Sequence, residues 1–221
     1  MTTTQAALAA TPNEADNAAK PTLVKPAPLE LDERGCYIIR NQSEEYRVAK
    51  LLMESGAVNS SLKNVTHVMV AMQAAKSVGL NAYTALRQIA FINGSLTFFG
   101  DLELAVVRMS GELDFIEEFL FILDEDGKYV RKCFENSNLH LPAFGAVCRL
   151  KRKGMPVVEE AFTEADAKTA GLWGRGSVWS KFPGRMMQMR ARGVAIKNCA
   201  SDITQGVTSV EYEFEGLNRN D

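Results

Sequence analysis

Between Phe182 and Ala200 the chain reads FPGRMMQMRARGVAIKNCA. At about 100° per residue, Met187, Ala191, Val194 and Ala195 fall on one side of a helix, and Met186, Met189, Gly193 and Ile196 fall roughly opposite. A helix that is apolar on two sides cannot rest on a surface. It has to be sandwiched between layers, with only its margins left for charge. Arg185 and Arg192 form one such margin, and Arg190 and Lys197 form the other. Ser180 is the expected cap, and Pro183 suits the first turn because the amide it lacks would have no partner there.

The chain upstream supplies the layers. Two β-rich runs, Ile89–Ile92 and Ser95–Phe99, flank Asn93-Gly94, the strongest short-range signal for a tight hairpin. A second hairpin is expected from LDFIEEFLFI and YVRKCFE, joined across 124–128. A third is expected within FGAVCRLKRKGMPVVEEAF, turning at Lys153-Gly154. Helices are expected within Ser43–Gly56 with Ser43 as cap and Gly56 as the stop, at Leu62–Val78 ended by Gly79, and at Leu102–Met109 capped by Asp101 and stopped by Ser110-Gly111. Another starts near Thr163, and Gly171–Gly176 reads as a flexible connector. The fold class is therefore α+β: antiparallel hairpins forming a small sheet packed with helices. Residues 1–30, rich in Ala, Thr and Pro, read as a disordered arm, 31–215 as one core domain, and 216–221 as a disordered tail.

Charge is distributed unevenly. Gly171–Ala200 carries six cations (Arg175, Lys181, Arg185, Arg190, Arg192 and Lys197), no carboxylate and both tryptophans, in a chain of net charge −2. From Arg149 to Lys197 there are eleven cations against four carboxylates, net +7. The remainder holds fourteen against twenty-three, net −9. Arg149, Lys151 and Lys153 alternate along one strand face, with Leu150 and Arg152 on the other. Cations neutralise phosphates, and flat aromatic or guanidinium groups give bases a surface to stack on, which suits a single strand better than sequence readout of a duplex. Trp173 and Trp179 can equally be core residues, and a basic helix face can simply be solvated.

Other chemistry is missing or weak. The chain lacks a Gly-x-x-x-x-Gly-Lys-[Ser/Thr] phosphate loop, a Gly-x-Ser-x-Gly elbow and Cys-x-x-Cys pairs, and its two histidines, His67 and His140, have no ligand-like spacing. We expect no catalytic residue, metal or cofactor. The four cysteines read as reduced thiols, and no segment has a secretory or membrane-spanning pattern, so a cytoplasmic protein without membrane partners is expected.

Five short motifs occur in a telling order: Ala74-Ala-Lys-x-Val-Gly-Leu80 through Ile92-Asn-Gly94, Ala165-Asp-Ala-Lys-x-Ala-Gly-Leu172, Trp179-Ser-Lys-Phe-Pro183, Met187-x-x-Arg190-Ala191, and Gly206 ahead of Glu211 and Glu213. In these the chain resembles the RecT family of phage and prophage single-strand DNA-annealing recombination proteins, over about Leu62 to Glu215. Its tail is short and acidic, whereas many members carry a longer C-terminal region. The resemblance implies ATP-independent binding of single-stranded DNA and annealing of complementary strands by a ring or filament of identical subunits in the host cytoplasm. It also implies a phage exonuclease and a host single-strand-binding protein as further partners. Trp179, Lys181, Arg190 and Ala191 match the family motif. Electrostatics adds Arg149, Lys151, Arg152, Lys153, Arg175, Arg185, Arg192 and Lys197 to the expected DNA-binding set.

Two other readings fit the same residues. One is a phage scaffolding protein that polymerises without annealing, its acidic Glu112–Asp126 hairpin set against a neighbour's basic surface; the basic Arg149–Lys153 strand can supply that surface between subunits or equally pair with the hairpin inside one fold. The other is a nuclease holding Mg²⁺ at Asp124, Glu125 and Asp126.

Overall fold

The structure is a computed structural model that describes residues 27–92, 94–99, 101–123, 126, 128–133, 145–173 and 176–209. By contact the chain divides into two units, Met1–Ile38 and Ile39–Asp221. In the first, Leu31 bridges Tyr37, the Ile38 amide donates to the Glu30 carbonyl, and the Asp32 carboxylate accepts from the Arg34 and Cys36 amides. The expected arm lies outside the described residues up to residue 26, as does the expected tail.

The second unit runs α1 (Gln42–Glu54), α2 (Val65–Ser77), α3 (Ala82–Ala85), β1 (Ile89–Ile92), β2 (Ser95–Phe98), α4 (Leu102–Met109), β3 (Leu113–Leu123), β4 (Tyr129–Cys133), β5 (Gly145–Arg152), β6 (Val157–Thr163), α5 (Glu164–Thr169), α6 (Gly176–Lys181), α7 (Pro183–Ala200) and β7 (Thr208–Ser209). This is an α+β architecture. The strands form two sheets, one ordered β4-β3-β5-β6 and antiparallel throughout, the other ordered β1-β2-β7 with β7 parallel to β2.

Local signals place most of the elements. β1 pairs with β2 as the expected hairpin, with Ile92 opposite Ser95, and Gly94 takes the positive φ of 83° that a tight hairpin needs; Asn93 lies outside the described residues. Thr163 starts α5 with a capping box, its hydroxyl accepting from the Asp166 amide while Asp166 accepts from the Thr163 amide. The helix starts needed adjustment. Asn41, not Ser43, caps α1: its extended backbone lets Oδ1 accept from the Glu44 amide at 2.9 Å. Asn64 likewise caps α2 through the His67 amide, so the helix begins at Val65 and Leu62 is buried in the segment leading to it. Ser180 is not the cap of α7, because it belongs to the short α6; Pro183 then opens α7 after Phe182.

The long helix is sandwiched as its periodicity requires. One side packs on β5, β6 and β3, where Met187, Ala191 and Ala195 join Leu120, Ala146, Cys148 and Leu150 in the main core. The other side meets α4 and β7. There Gly193 has to stay small, since a Cβ would lie 2.8 Å from the Ser209 hydroxyl. Separately, α1 and α2 pack together, tied by buried Glu45, which accepts from Gln73 and from Lys76 at 3.1 Å.

Candidate nucleic-acid interface

Each of the two expected basic margins of α7 has one buried arginine. Arg190 and Arg192 are only 3% and 5% exposed. A guanidinium withdrawn from water needs carboxylates around it. Arg192 has two: its Nε and Nη2 fork onto Glu118 at 2.7 and 2.6 Å, and its Nη1 donates to Asp101. Arg185, two turns earlier on the same margin, donates through Nη2 to both Asp101 oxygens at 3.2 and 3.3 Å and through Nη1 to Gln188 at 2.7 Å. Burial pulls on these groups in opposite directions to their pairing. Burial alone would raise the Asp101 pKa, yet Arg192 and then Arg185 hold it below the usual carboxylate range. Burial alone would lower the Arg192 pKa, and Glu118 and Asp101 raise it.

Asp101 is therefore not the cap that the sequence suggests. Its backbone, at ψ 6°, is outside the extended region caps adopt, its side chain makes no capping bond, and the arginines take the carboxylate instead. The same groups line an open cavity of about 420 Å³ formed by Asp101, Leu104, Ala105, Arg108, Met109, Glu118, Arg185 and Arg192. Three arginines face two carboxylates, leaving the lining at +1. Arg108 and Glu118 were absent from the sequence-based set. A cation in the last turn of α4 and a carboxylate within an apolar β run carry no local sign that they converge with residues of α7.

The cations of β5 have the predicted alternation and are already engaged. On the sheet face away from α7, Arg149 sits directly across from Glu117 on β3 and Glu159 on β6. Its Nη1 lies 3.1 Å from Glu117, and its Nε lies 2.8 Å from Glu159, close enough for an ion pair though off the line of a hydrogen bond. Glu117 also binds Arg131 of β4 at 2.6 Å, and that guanidinium stacks 3.5 Å above the Phe119 ring. Lys151 pairs with Asp114 at 2.8 Å. On the helix-facing side, Arg152 donates to the Cys199 carbonyl at 3.2 Å and to Asp202 at 2.7 Å, placing a cation at the C-terminal end of α7. The acidic and basic stretches offered to neighbouring subunits by the sequence are thus adjacent strands of one sheet. The opposite charges that suggested an interface pair within the monomer.

Lys153, in the β5–β6 turn, and Lys181 and Lys197 are exposed. Arg175 lies outside the described residues. Trp179 is 8% exposed and belongs to the main core, 6.3 Å between ring centroids from Phe162, and Trp173 packs against the same cluster with Lys168 5.7 Å from its ring. Arg190 holds its guanidinium 5.7 Å from the Phe162 ring. Among the described residues of 171–200, the two tryptophans, Arg190 and Arg192 turn toward the core, while Phe182, Lys181 and Lys197 are exposed and Arg185 is half-buried.

Cys148 is buried, and burial, reinforced by Glu118, pushes its thiol up to about 12, so it is chemically quiet. Among the described residues, Cys36, Cys148 and Cys199 form no disulfide, no helix is long and apolar enough to cross a membrane, and no three His, Cys, Asp or Glu gather as a metal-holding group. Asp124 and Glu125 lie outside the described residues. No protein-family model matches the chain, and no curated protein does.

Proposed function

We propose that the protein binds single-stranded DNA and anneals complementary strands without nucleotide hydrolysis, as a cytoplasmic homo-oligomer of the RecT kind. The observation that carries this reading is the open cavity in which Arg108, Arg185 and Arg192 converge, a net-positive recess. Phosphates would take the guanidinium groups of Arg185 and Arg108, which present two-pronged donors matched to phosphate oxygens. With the strand held through its backbone by charge, base edges stay open to a complementary strand, and pairing itself supplies the specificity. The aromatic contribution is smaller than the sequence suggests, because Trp179 is committed to the core.

Fluorescence annealing of two complementary oligonucleotides without ATP tests the reading. Acceleration over the spontaneous rate is expected, with affinity nearly independent of sequence and a log–log salt slope of about 0.7 per phosphate contacted. A salt slope near zero, or binding that never speeds pairing, removes it. The neutralised outer face of the four-stranded sheet favours the second reading, a polymer without annealing activity. Assembly in the absence of any oligonucleotide binding establishes that one.

A further inference from the structure

Ion pairs cross the outer face of the four-stranded sheet in an unbroken row: Arg131 on β4, Glu117 on β3, Arg149 on β5 and Glu159 on β6. Every interior member has two partners. The carboxylate of Glu117 gives one oxygen to Arg131 and the other to Arg149. The row ends in opposite charges, and those ends lie on the two strands that have only one neighbour among the described residues, β4 and β6. Glu159, with 59% of its side chain exposed, presents an oxygen that neither Arg149 nor any residue of its own sheet has taken among the contacts seen; Arg131 is 45% exposed.

Edge strands expose unpaired amides and carbonyls, and proteins commonly guard them with charge. Here the guards differ in sign. β4 carries Arg131 and Lys132, and β6 carries Glu159 and Glu160. Joining β4 to β4 sets cation against cation, and joining β6 to β6 sets carboxylate against carboxylate. Only β4 against β6 is neutral. Strand direction agrees, because successive antiparallel neighbours make β6 run opposite to β4. A second copy offering its β4 to this β6 therefore continues the same antiparallel sheet.

We propose that β4 of one copy pairs with β6 of the next, so that Arg131 meets Glu159 across the junction and the charge row runs on from subunit to subunit. Directly opposed residues in an antiparallel pair share a face, and Arg131 and Glu159 share the outer one. That register sets Lys132 opposite Val158 and diagonal to Glu160 on the inner face, and brings the exposed Val130 and Val157 into the junction. Glu159 then binds two arginines, one oxygen each, as Glu117 already does within the monomer. The contact is head-to-tail, so it propagates, closing as a ring or continuing as a filament according to the sheet's twist. The inference deepens the assembly part of the proposed function and stands independently of DNA binding.

Two charge-reversed variants of the full chain test it: Arg131→Glu with Lys132→Glu, and Glu159→Lys with Glu160→Lys. Sedimentation velocity without DNA should show the parent assembling and each variant alone requiring roughly tenfold or more protein to do so, since like charges then face each other. An equal mixture should assemble as the parent does, each variant supplying the edge that the other lacks. Recovery on mixing also demonstrates that both variants fold. Should either variant lose its thermal transition, Arg131→Gln and Glu159→Gln take their places, and each should weaken assembly in the same direction. A parent that stays monomeric, variants that assemble like the parent, or folded variants whose mixture stays apart overturns the proposal. Oligonucleotide binding by the parent is recorded separately: an assembling protein that binds no strand defeats the proposed function and leaves this interface standing, and a monomer that anneals strands does the reverse.

Discussion

Two sets of arginines, one on each side of the four-stranded sheet, show how differently the same side chain behaves. Arg192, on the inner side, is 5% exposed and gripped by a bidentate fork to Glu118 and a further bond to Asp101. Arg149, on the outer side, has 36% of its side chain exposed and holds Glu117 and Glu159 in contact with water. Both are Arg–carboxylate pairs with similar distances. Water separates them: breaking the inner pair strands a charge in a medium that cannot solvate it, whereas breaking the outer pair hands both partners back to solvent.

The largest effect should come from the inner set. Arg192→Ala leaves Glu118 and Asp101 without their shared guanidinium and should destabilise the fold by about 3–5 kcal/mol in chemical denaturation. A loss below about 1 kcal/mol would place Arg192 with the outer set and erase the contrast. Trp179→Ala, on the same side of the sheet, should cost about 3 kcal/mol through the cavity that it leaves beside Phe162. Thermal melting alongside oligonucleotide titration separates packing from stacking; unchanged stability with weakened binding would show Trp179 to be a base platform.

Asp101→Asn probes the boundary between the two regimes, for Asp101 has 63% of its side chain exposed while binding a buried arginine. Removing its charge leaves Arg192 its Glu118 fork and takes the cavity from +1 to +2. Oligonucleotide affinity should rise several-fold, with the salt slope steeper by about 0.7 for each phosphate gained. Asp114→Asn makes the same change in net charge beside Lys151 and should do much less; equal effects from both would point to net charge rather than the cavity.

The smallest change belongs to the outer row. Arg149→Ala should cost under about 1 kcal/mol. Its signature is a matter of pH. Hydrogen bonding and charge from Arg131, then Arg149, hold Glu117 below the usual carboxylate range despite some desolvation, and Arg152 does the same for Asp202. Carboxyls depressed on folding bind fewer protons in the native state, so their contribution is complete above the unfolded pKa of about 4 and is lost as pH falls through the lower native values. Acid titration of stability should therefore show a shallower decline for Arg149→Ala and Glu117→Gln than for the parent. Matching declines would mean that the row contributes nothing to the acid limb.

Much of the fold was readable because its determinants are neighbours in sequence. The β1–β2 hairpin, the Lys153 turn, the span of α4 and the helix start near Thr163 each depend on a few adjacent residues. The doubly apolar pattern of Pro183–Ala200 carried further, since it required layers on both sides before either was known. Misreadings arose where two local partners competed or a distant one intervened. Asn41 displaced Ser43 as a cap two positions away, while Asp101 gave up capping for guanidinium groups of residues 84 and 91 positions on.

The sequence by itself determined the α+β class, the three hairpins, the burial of α7 on two sides and the concentration of cations between Arg149 and Lys197, because periodicity, turn chemistry and composition are properties of contiguous residues. Which of those cations meet water was decided only by tertiary structure. Glu118 lies 74 positions before Arg192, and Glu117 lies 32 before Arg149, so nothing local to either arginine reveals its carboxylate. Charge is written into each residue, but its availability to a ligand depends on burial and on counter-charges that only chain folding brings within a few ångströms, where electrostatic energy is steep in both distance and dielectric.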